Sequence, residues 1–168
     1  RPSRTSPDTV TSEAGASDAE CTISEGDEFE TTVRLGEVEQ VKEAGSRGAG
    51  VRVLFGKRVG SSYTSDLSER GLRAMVAQAV DVASITTEDP HAGLPDAGEF
   101  GTLTGDLKLF NDDVSRLDAA AKVDLARRAE RAALNFDPRI KNSEGGSFGS
   151  SLGARAFANS RGFVGGYQ

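Results

Sequence analysis

The hydrophobic period of this chain changes twice, and that order of periods restricts its fold more than any single motif does. Between Ala19 and Tyr63 apolar side chains recur at every second position, as in Ala19, Cys21 and Ile23, and again in Phe29, Val33 and Leu35. From Leu72 the spacing turns helical, with Leu72, Met75, Val76, Ala79, Val80 and Ala83 on one face. After Asp137-Pro138 the chain returns to short apolar runs broken by glycine. A period of two lines one face of a strand, and a period of about 3.6 lines one face of a helix. Strands, helix, linker, helix, strands predict an α+β fold, a mostly antiparallel sheet of about 7–8 strands with two amphipathic helices packed on one face.

Glycine sets the expected strand ends, and the chain holds 20 of them. Strands are expected at 19–24, at 29–35, in a polar, edge-like run at 37–44, at 51–55 after a glycine-rich turn at 45–50, and at 58–64. Three more runs lie within 139–168, divided at Gly153 and Gly162. The first helix takes Ser65 or Ser68 as N-cap and ends near Ile85, ahead of Asp89-Pro90. The second starts at the N-cap Asp118 and runs to about Phe136, with Leu125, Ala129, Ala132, Ala133 and Phe136 on the face expected to pack. Residues 86–115 form a long, turn-rich connection of the kind that is usually functional or packed over a surface. Residues 1–17, rich in Ser, Thr and Pro, predict a flexible N-terminal arm, which leaves 18–168 as the domain.

Composition excludes several classes of function. The net charge is −6 and no basic stripe is present, so a direct nucleic-acid binder, which gains affinity by neutralising phosphates, is not expected. No apolar run approaches the roughly 20 residues that span a bilayer, and Arg1-Pro2-Ser3-Arg4 lacks the apolar core of a signal peptide. A single cysteine excludes an internal disulfide and fits a reducing compartment. The chain starts without Met and stops in a strand-like run, and it reads as a piece of a longer polypeptide.

The candidate chemical motifs are incomplete. Gly145-Gly146-Ser147-Phe148-Gly149 spells G-x-S-x-G, but a nucleophile elbow needs a helix after the serine and a histidine later in the chain. Here a strand follows, and the lone His91 lies upstream. Gly45 to Gly50 precedes a strand rather than a helix, so no helix N-terminus is available for a pyrophosphate. Cys21 and His91 are too few for zinc, and Cys21 is expected on the inward face of its strand. Glu25, Asp27, Glu28 and Glu30, with Glu37, Glu39 and Glu43, read as a solvated edge that resists aggregation.

The C-terminal quarter carries the most specific text. Asn142-Ser143-Glu144-Gly145-Gly146-Ser147-Phe148, followed by Asn159-Ser160-Arg161-Gly162-Phe163, resembles the N-terminal domain of the TldD/PmbA family, also labelled modulators of DNA gyrase. Glu37-Val38-Glu39, the 48–53 run, the 60–68 junction, the 89–96 linker and the Arg128 to Leu134 helix segment agree in the same order. The Glu-Gly-Gly-Ser-Phe and Asn-Ser-x-Gly pieces look like the PmbA (TldE) branch.

The resemblance implies a cytoplasmic zinc metalloprotease assembly. In it a TldD-type subunit carries a His-Glu-x-x-x-His motif in a C-terminal domain, and a TldE-type subunit lacks that motif. It therefore implies a non-catalytic domain that shapes a subunit interface or substrate access. Its partners would be a TldD-like subunit or a second copy as a dimer, together with a peptide or unfolded-protein substrate, and no nucleic acid or membrane. No catalytic residue, metal ligand or cofactor is expected in this chain, and zinc would belong to the partner subunit or to a C-terminal domain. The expected groove or interface residues are Asn142, Glu144, Gly145, Gly146, Ser147, Phe148, Asn159, Ser160 and Gly162. Two alternatives stay open: the N-terminal domain of a catalytic metallopeptidase with its site beyond residue 168, or a stand-alone peptide-binding module.

Overall fold

The computed structural model describes residues 15–102 and 105–168. The expected arm at 1–17 falls outside them for its first fourteen residues. Its last residues are engaged: Ala16 packs on the core, and Ser17 donates to the Leu54 carbonyl through both its N–H (2.8 Å) and its hydroxyl (2.9 Å).

The elements are β1 (Asp18–Arg34), β2 (Glu37–Phe55), β3 (Arg58–Thr64), α1 (Glu69–Ile85), a 3-10 turn (Ala97–Glu99), α2 (Asp112–Ser115), α3 (Ala119–Phe136), β4 (Gly146–Asn159) and β5 (Val164–Tyr167). The strands form one sheet in the order β3-β2-β1-β4-β5. The fold is α+β as expected, but the expected 7–8 strands are five among the described residues. The reason is the behaviour of glycine. Gly26, Gly45, Gly48, Gly50, Gly149 and Gly153 do not end strands but lie inside β1, β2 and β4. Two sit where a neighbouring backbone leaves little room for a Cβ: at Gly26 it would lie 3.1 Å from the Leu152 carbonyl, and at Gly48 3.2 Å from that of Thr64. Such glycines record a close approach of backbones rather than a turn.

True turns have left-handed residues. Leu35 and Gly36 join β1 to β2 with φ of 51° and 85°, the type I′ pattern that matches strand twist. Gly56, with φ 62°, opens the two-residue turn that sets Phe55 opposite Arg58 in the antiparallel β2–β3 pair.

The chain divides into two compact units. One holds the described residues to Glu25, Arg47–Leu107 and Ala154–Tyr167. Its core joins Ala19, Val51 and Val53 to Met75, Ala79 and Ala83 of α1, the face that the helical period marks. Ser68 caps α1 by accepting from the Gly71 N–H. Gly60 of β3 lies under the helix: a Cβ there would meet the Ala83 N–H nitrogen at 2.5 Å and sit closer still to the Ala79 carbonyl. A second cluster joins Leu54 and Val59 to Ala92 and Leu94, so the long connection packs on the sheet through this segment.

The other unit holds Gly26–Ser46 and Lys108–Gly153. Asp118 caps α3 through the Ala121 N–H at 2.7 Å. Phe29, Thr31 and Val33 of β1 are buried, as are Ala126 and Glu130 of α3. Gly146 repeats the device seen at Gly60, since its Cβ would lie 2.7 Å from the Glu130 nitrogen and nearer still to the Ala126 carbonyl. The face of α3 expected to pack does not: Ala129, Ala132, Ala133 and Phe136 are exposed, and Leu125 is only half-buried. The buried side, Ala126 and Glu130, is centred about 100° around the helix from that face. A buried glutamate holds it in place, and the hydrophobic period does not register such a residue.

Candidate functional site: the open edge of β4

The expected site residues fall into two groups in different units. Asn159, Ser160 and Gly162 build the β4–β5 turn. Buried Asn159 accepts through its side-chain oxygen from the Arg161 N–H (3.1 Å) and the Phe163 N–H (3.0 Å), while Gly162 takes φ 90°. The Ser160 hydroxyl accepts from the Ala19 N–H at 3.0 Å, and its own N–H donates back to the Ala19 carbonyl at 2.8 Å. These residues close a turn and tie it to the start of β1.

Asn142, Glu144 and Gly145 lead into β4, and Gly146, Ser147 and Phe148 begin it. Asn142 and Glu144 are exposed. Gly145 takes φ 111° where a Cβ would lie 2.9 Å from the Val33 carbonyl. The Ser147 hydroxyl shares a 3.1 Å hydrogen bond with that of Thr32. β4 continues as strand through Gly149, so Ser147 does not sit on the strand-to-helix elbow a nucleophile needs.

Two residues absent from that expectation organise the neighbourhood. Glu130, 3% exposed, accepts from both N–H groups of the β1–β2 turn, Leu35 at 2.6 Å and Gly36 at 2.9 Å. The hydrogen bond from Gly36 holds its carboxyl below the usual range, with those from Leu35 and Ser143 and the charge of Arg34 adding to it, against the opposing effect of burial. Arg127 donates to the Gly36 carbonyl at 3.2 Å, so α3 grips the turn from both polarities. In the other unit Arg161 makes a two-pronged contact with Asp18 (2.9 and 3.2 Å) and reaches Asp96 (2.8 Å) and the Leu94 carbonyl (3.1 Å). The bond to Asp18 raises its pKa further. A charged residue inside a turn motif is the only signal the sequence offered for Arg161, and Glu130 left none.

The sheet edges differ in chemistry. β3 pairs with β2 only from Ala49 to Phe55, and β5 pairs with β4 only from Arg155 to Ala158. Among the described residues, the outer edges of 37–48 and 146–153 therefore carry no strand. Residues 37–47 are exposed throughout and include Glu37, Glu39, Lys42 and Glu43, the charged guard expected on an edge. The β4 edge reads Gly-Ser-Phe-Gly-Ser-Ser-Leu-Gly and has no charge. Small side chains leave its backbone groups open to a further strand.

Among the described residues, no three His, Cys, Asp or Glu side chains stand close enough to hold a metal ion. His91 is exposed in the connection, and burial pushes the half-buried Cys21 thiol up. No helix of the described residues is long and apolar enough to cross a membrane.

Comparison with known proteins agrees with this architecture. Residues 19–83 match the model of the PmbA/TldA metallopeptidase domain 1, and residues 112–168 match that of the PmbA/TldA metallopeptidase central domain. The metalloprotease PmbA of Escherichia coli O157:H7 is 39% identical over 92% of this chain and 34% of its own length. A PmbA homolog from Haemophilus influenzae is 34% identical over 94% of this chain and 34% of its own length. The chain thus spans about a third of the curated relatives it matches.

Two crystal structures share the fold. One is a candidate modulator of DNA gyrase from Bacteroides thetaiotaomicron (TM-score 0.83, 21% identity, 94% of this chain and 36% of that one). The other is TldE from Thermococcus kodakarensis (TM-score 0.78, 17% identity, 94% of this chain and 35% of that one). Taken with the expected order of motifs, the two domain models place this chain in the PmbA/TldD metallopeptidase family.

Proposed function

We propose that this chain is a non-catalytic, peptide-guiding portion of a PmbA/TldE-like subunit, working in the cytoplasm beside a TldD-like subunit that holds the zinc. The observation that carries this reading is the uncharged run Gly-Ser-Phe-Gly-Ser-Ser-Leu-Gly of β4 at 146–153, set against the charged edge of β2. An extended peptide would add as a strand there through backbone hydrogen bonds, with little selection among side chains. That suits delivery of unfolded or flexible substrates to a distant active site. The names of the relatives favour a second reading, in which the parent chain is itself a metalloprotease and these residues serve its own metal site. Zinc analysis of the purified full-length parent separates the two, and the β4 edge has the same role in both.

Successive N–H groups of a strand point to opposite edges. Of Ser150→Pro and Ser151→Pro, one therefore removes an outward donor and the other a ladder bond within the sheet. The outward variant keeps its melting temperature near wild type and binds a labelled unfolded peptide about fivefold more weakly, as expected for a hydrogen bond of ~1 kcal/mol. Equal peptide affinity in both variants and the wild type, measured by fluorescence anisotropy, would overturn the proposal.

A further inference from the structure

The helix α3 is amphipathic in an unusual sense. Its packed side centres on Ala126 and on Glu130, a carboxylate. Its open side carries Leu125, Ala129, Ala132 and Phe136 at i, i+4, i+7 and i+11, a single stripe. Phe136 is 86% exposed. The stripe runs along a shallow groove of about 500 Å³ lined by Leu125, Arg128, Ala129, Arg131, Ala132 and Asn135. Single exposed apolar residues are ordinary. Here two large ones bracket two alanines in register, and the alanines leave room for a second helix to approach closely.

Charge selects the occupant. The other arginines of this unit are engaged: Arg34 with Glu39, Arg116 with Asp112, Arg139 with Asp137, and Arg127 with the Gly36 carbonyl. Arg128 and Arg131 make no ion pair among the described residues, although the chain carries a net charge of −6. Asp124 lies one turn before Arg128 and forms no ion pair with it. Both guanidinium groups line the groove on one side of the apolar stripe. A second copy of this chain fits poorly. Two α3 faces meeting antiparallel would set Arg128 and Arg131 of both copies on the same seam, where like charges repel. We infer that the open face of α3 docks an acidic amphipathic helix of a partner protein, with an apolar ridge on the Leu125–Phe136 stripe and carboxylates against Arg128 and Arg131.

The test uses the 168-residue chain and two synthetic helical peptides of about 18 residues (five turns). Both carry a Leu/Ala ridge, one with Glu flanks and the other with Lys flanks. Heteronuclear NMR titration at low salt should show the Glu peptide shifting amides of α3 between Leu125 and Phe136. The Glu peptide should bind about tenfold more tightly than the Lys peptide, the combined worth of two exposed ion pairs. The Arg128→Glu/Arg131→Glu variant, whose positions are exposed and whose fold circular dichroism checks, should reverse that preference. Phe136→Ala should weaken both peptides. Equal binding of the two peptides, shifts confined to other elements, or no shifts would overturn the proposal. So would a dimer of the chain alone, seen by sedimentation and abolished by Phe136→Glu, because the occupant would then be a second copy.

Discussion

Gly146→Ala tests the claim that glycines in these strands are points of close approach. A Cβ at residue 146 would lie 2.7 Å from the Glu130 nitrogen and 3.0 Å from the Glu130 Cβ, with the Ala126 carbonyl nearer than either. All but the Glu130 Cβ are backbone atoms of α3, so no side-chain rotation relieves the contact. The helix must back away by about 1 Å to restore van der Waals separation. Overpacking of this kind costs about 1–3 kcal/mol. For a domain of this size, each kcal/mol lowers the melting temperature by about 2–4 °C. Gly149→Ala is the internal control. It lies three residues along the same strand, nothing stands within 4 Å of its added Cβ, and loss of backbone entropy in the unfolded state alone makes it neutral or stabilising by up to about 1 kcal/mol. Calorimetry of both variants should show a clear drop for Gly146→Ala and none for Gly149→Ala. Equal effects would refute the close-approach reasoning, and Gly60→Ala should repeat the drop in the other unit.

Three further outcomes are expected. Glu130→Gln leaves one of the two N–H groups of the β1–β2 turn without its carboxylate acceptor. Because the folded carboxyl is held below its usual range, its stabilisation is complete above the ordinary glutamate pKa and disappears as pH falls through the folded value. Urea melts should therefore show wild type and variant well apart at neutral pH and converging in acid, and a gap independent of pH would count against the turn latch. Arg161→Lys cannot reproduce the planar fork on Asp18 while also reaching Asp96 and Leu94. Hydrogen exchange should quicken at Leu94 and Asp96 and stay unchanged in α1, and slow exchange at those two amides in the variant would deny Arg161 its tethering role. Burial raises the Cys21 pKa, so iodoacetamide should react more slowly with the folded chain than with the denatured one at neutral pH. Equal rates would place that thiol in open solvent.

Much of the fold was legible because period and capping are local signals. The α1 face from Leu72 to Ala83, the caps Ser68 and Asp118, and the ends of both long helices follow from the sequence. What failed depended on tertiary context. A glycine in a strand and a glycine in a turn look alike until the neighbouring backbone is known, so Gly26, Gly45 and Gly153 divided strands that in fact run on. The face of α3 was misread because a buried carboxylate with two backbone donors outweighs a hydrophobic stripe, and Glu130 looks like any surface glutamate. Within the expected site, Gly146 admits a helix and Asn159 closes a turn, contacts that no motif announces.

The most direct test of the proposed function is residue-resolved hydrogen exchange of β4 in the 168-residue chain, with and without an unfolded peptide. In the free chain, alternate amides between Ser147 and Gly153 should exchange fast. Peptide should protect those same amides, and residues 37–44 of β2 should not change. If the outward amides of β4 are already protected without peptide, or if peptide protects β2 instead, the open-edge account is wrong.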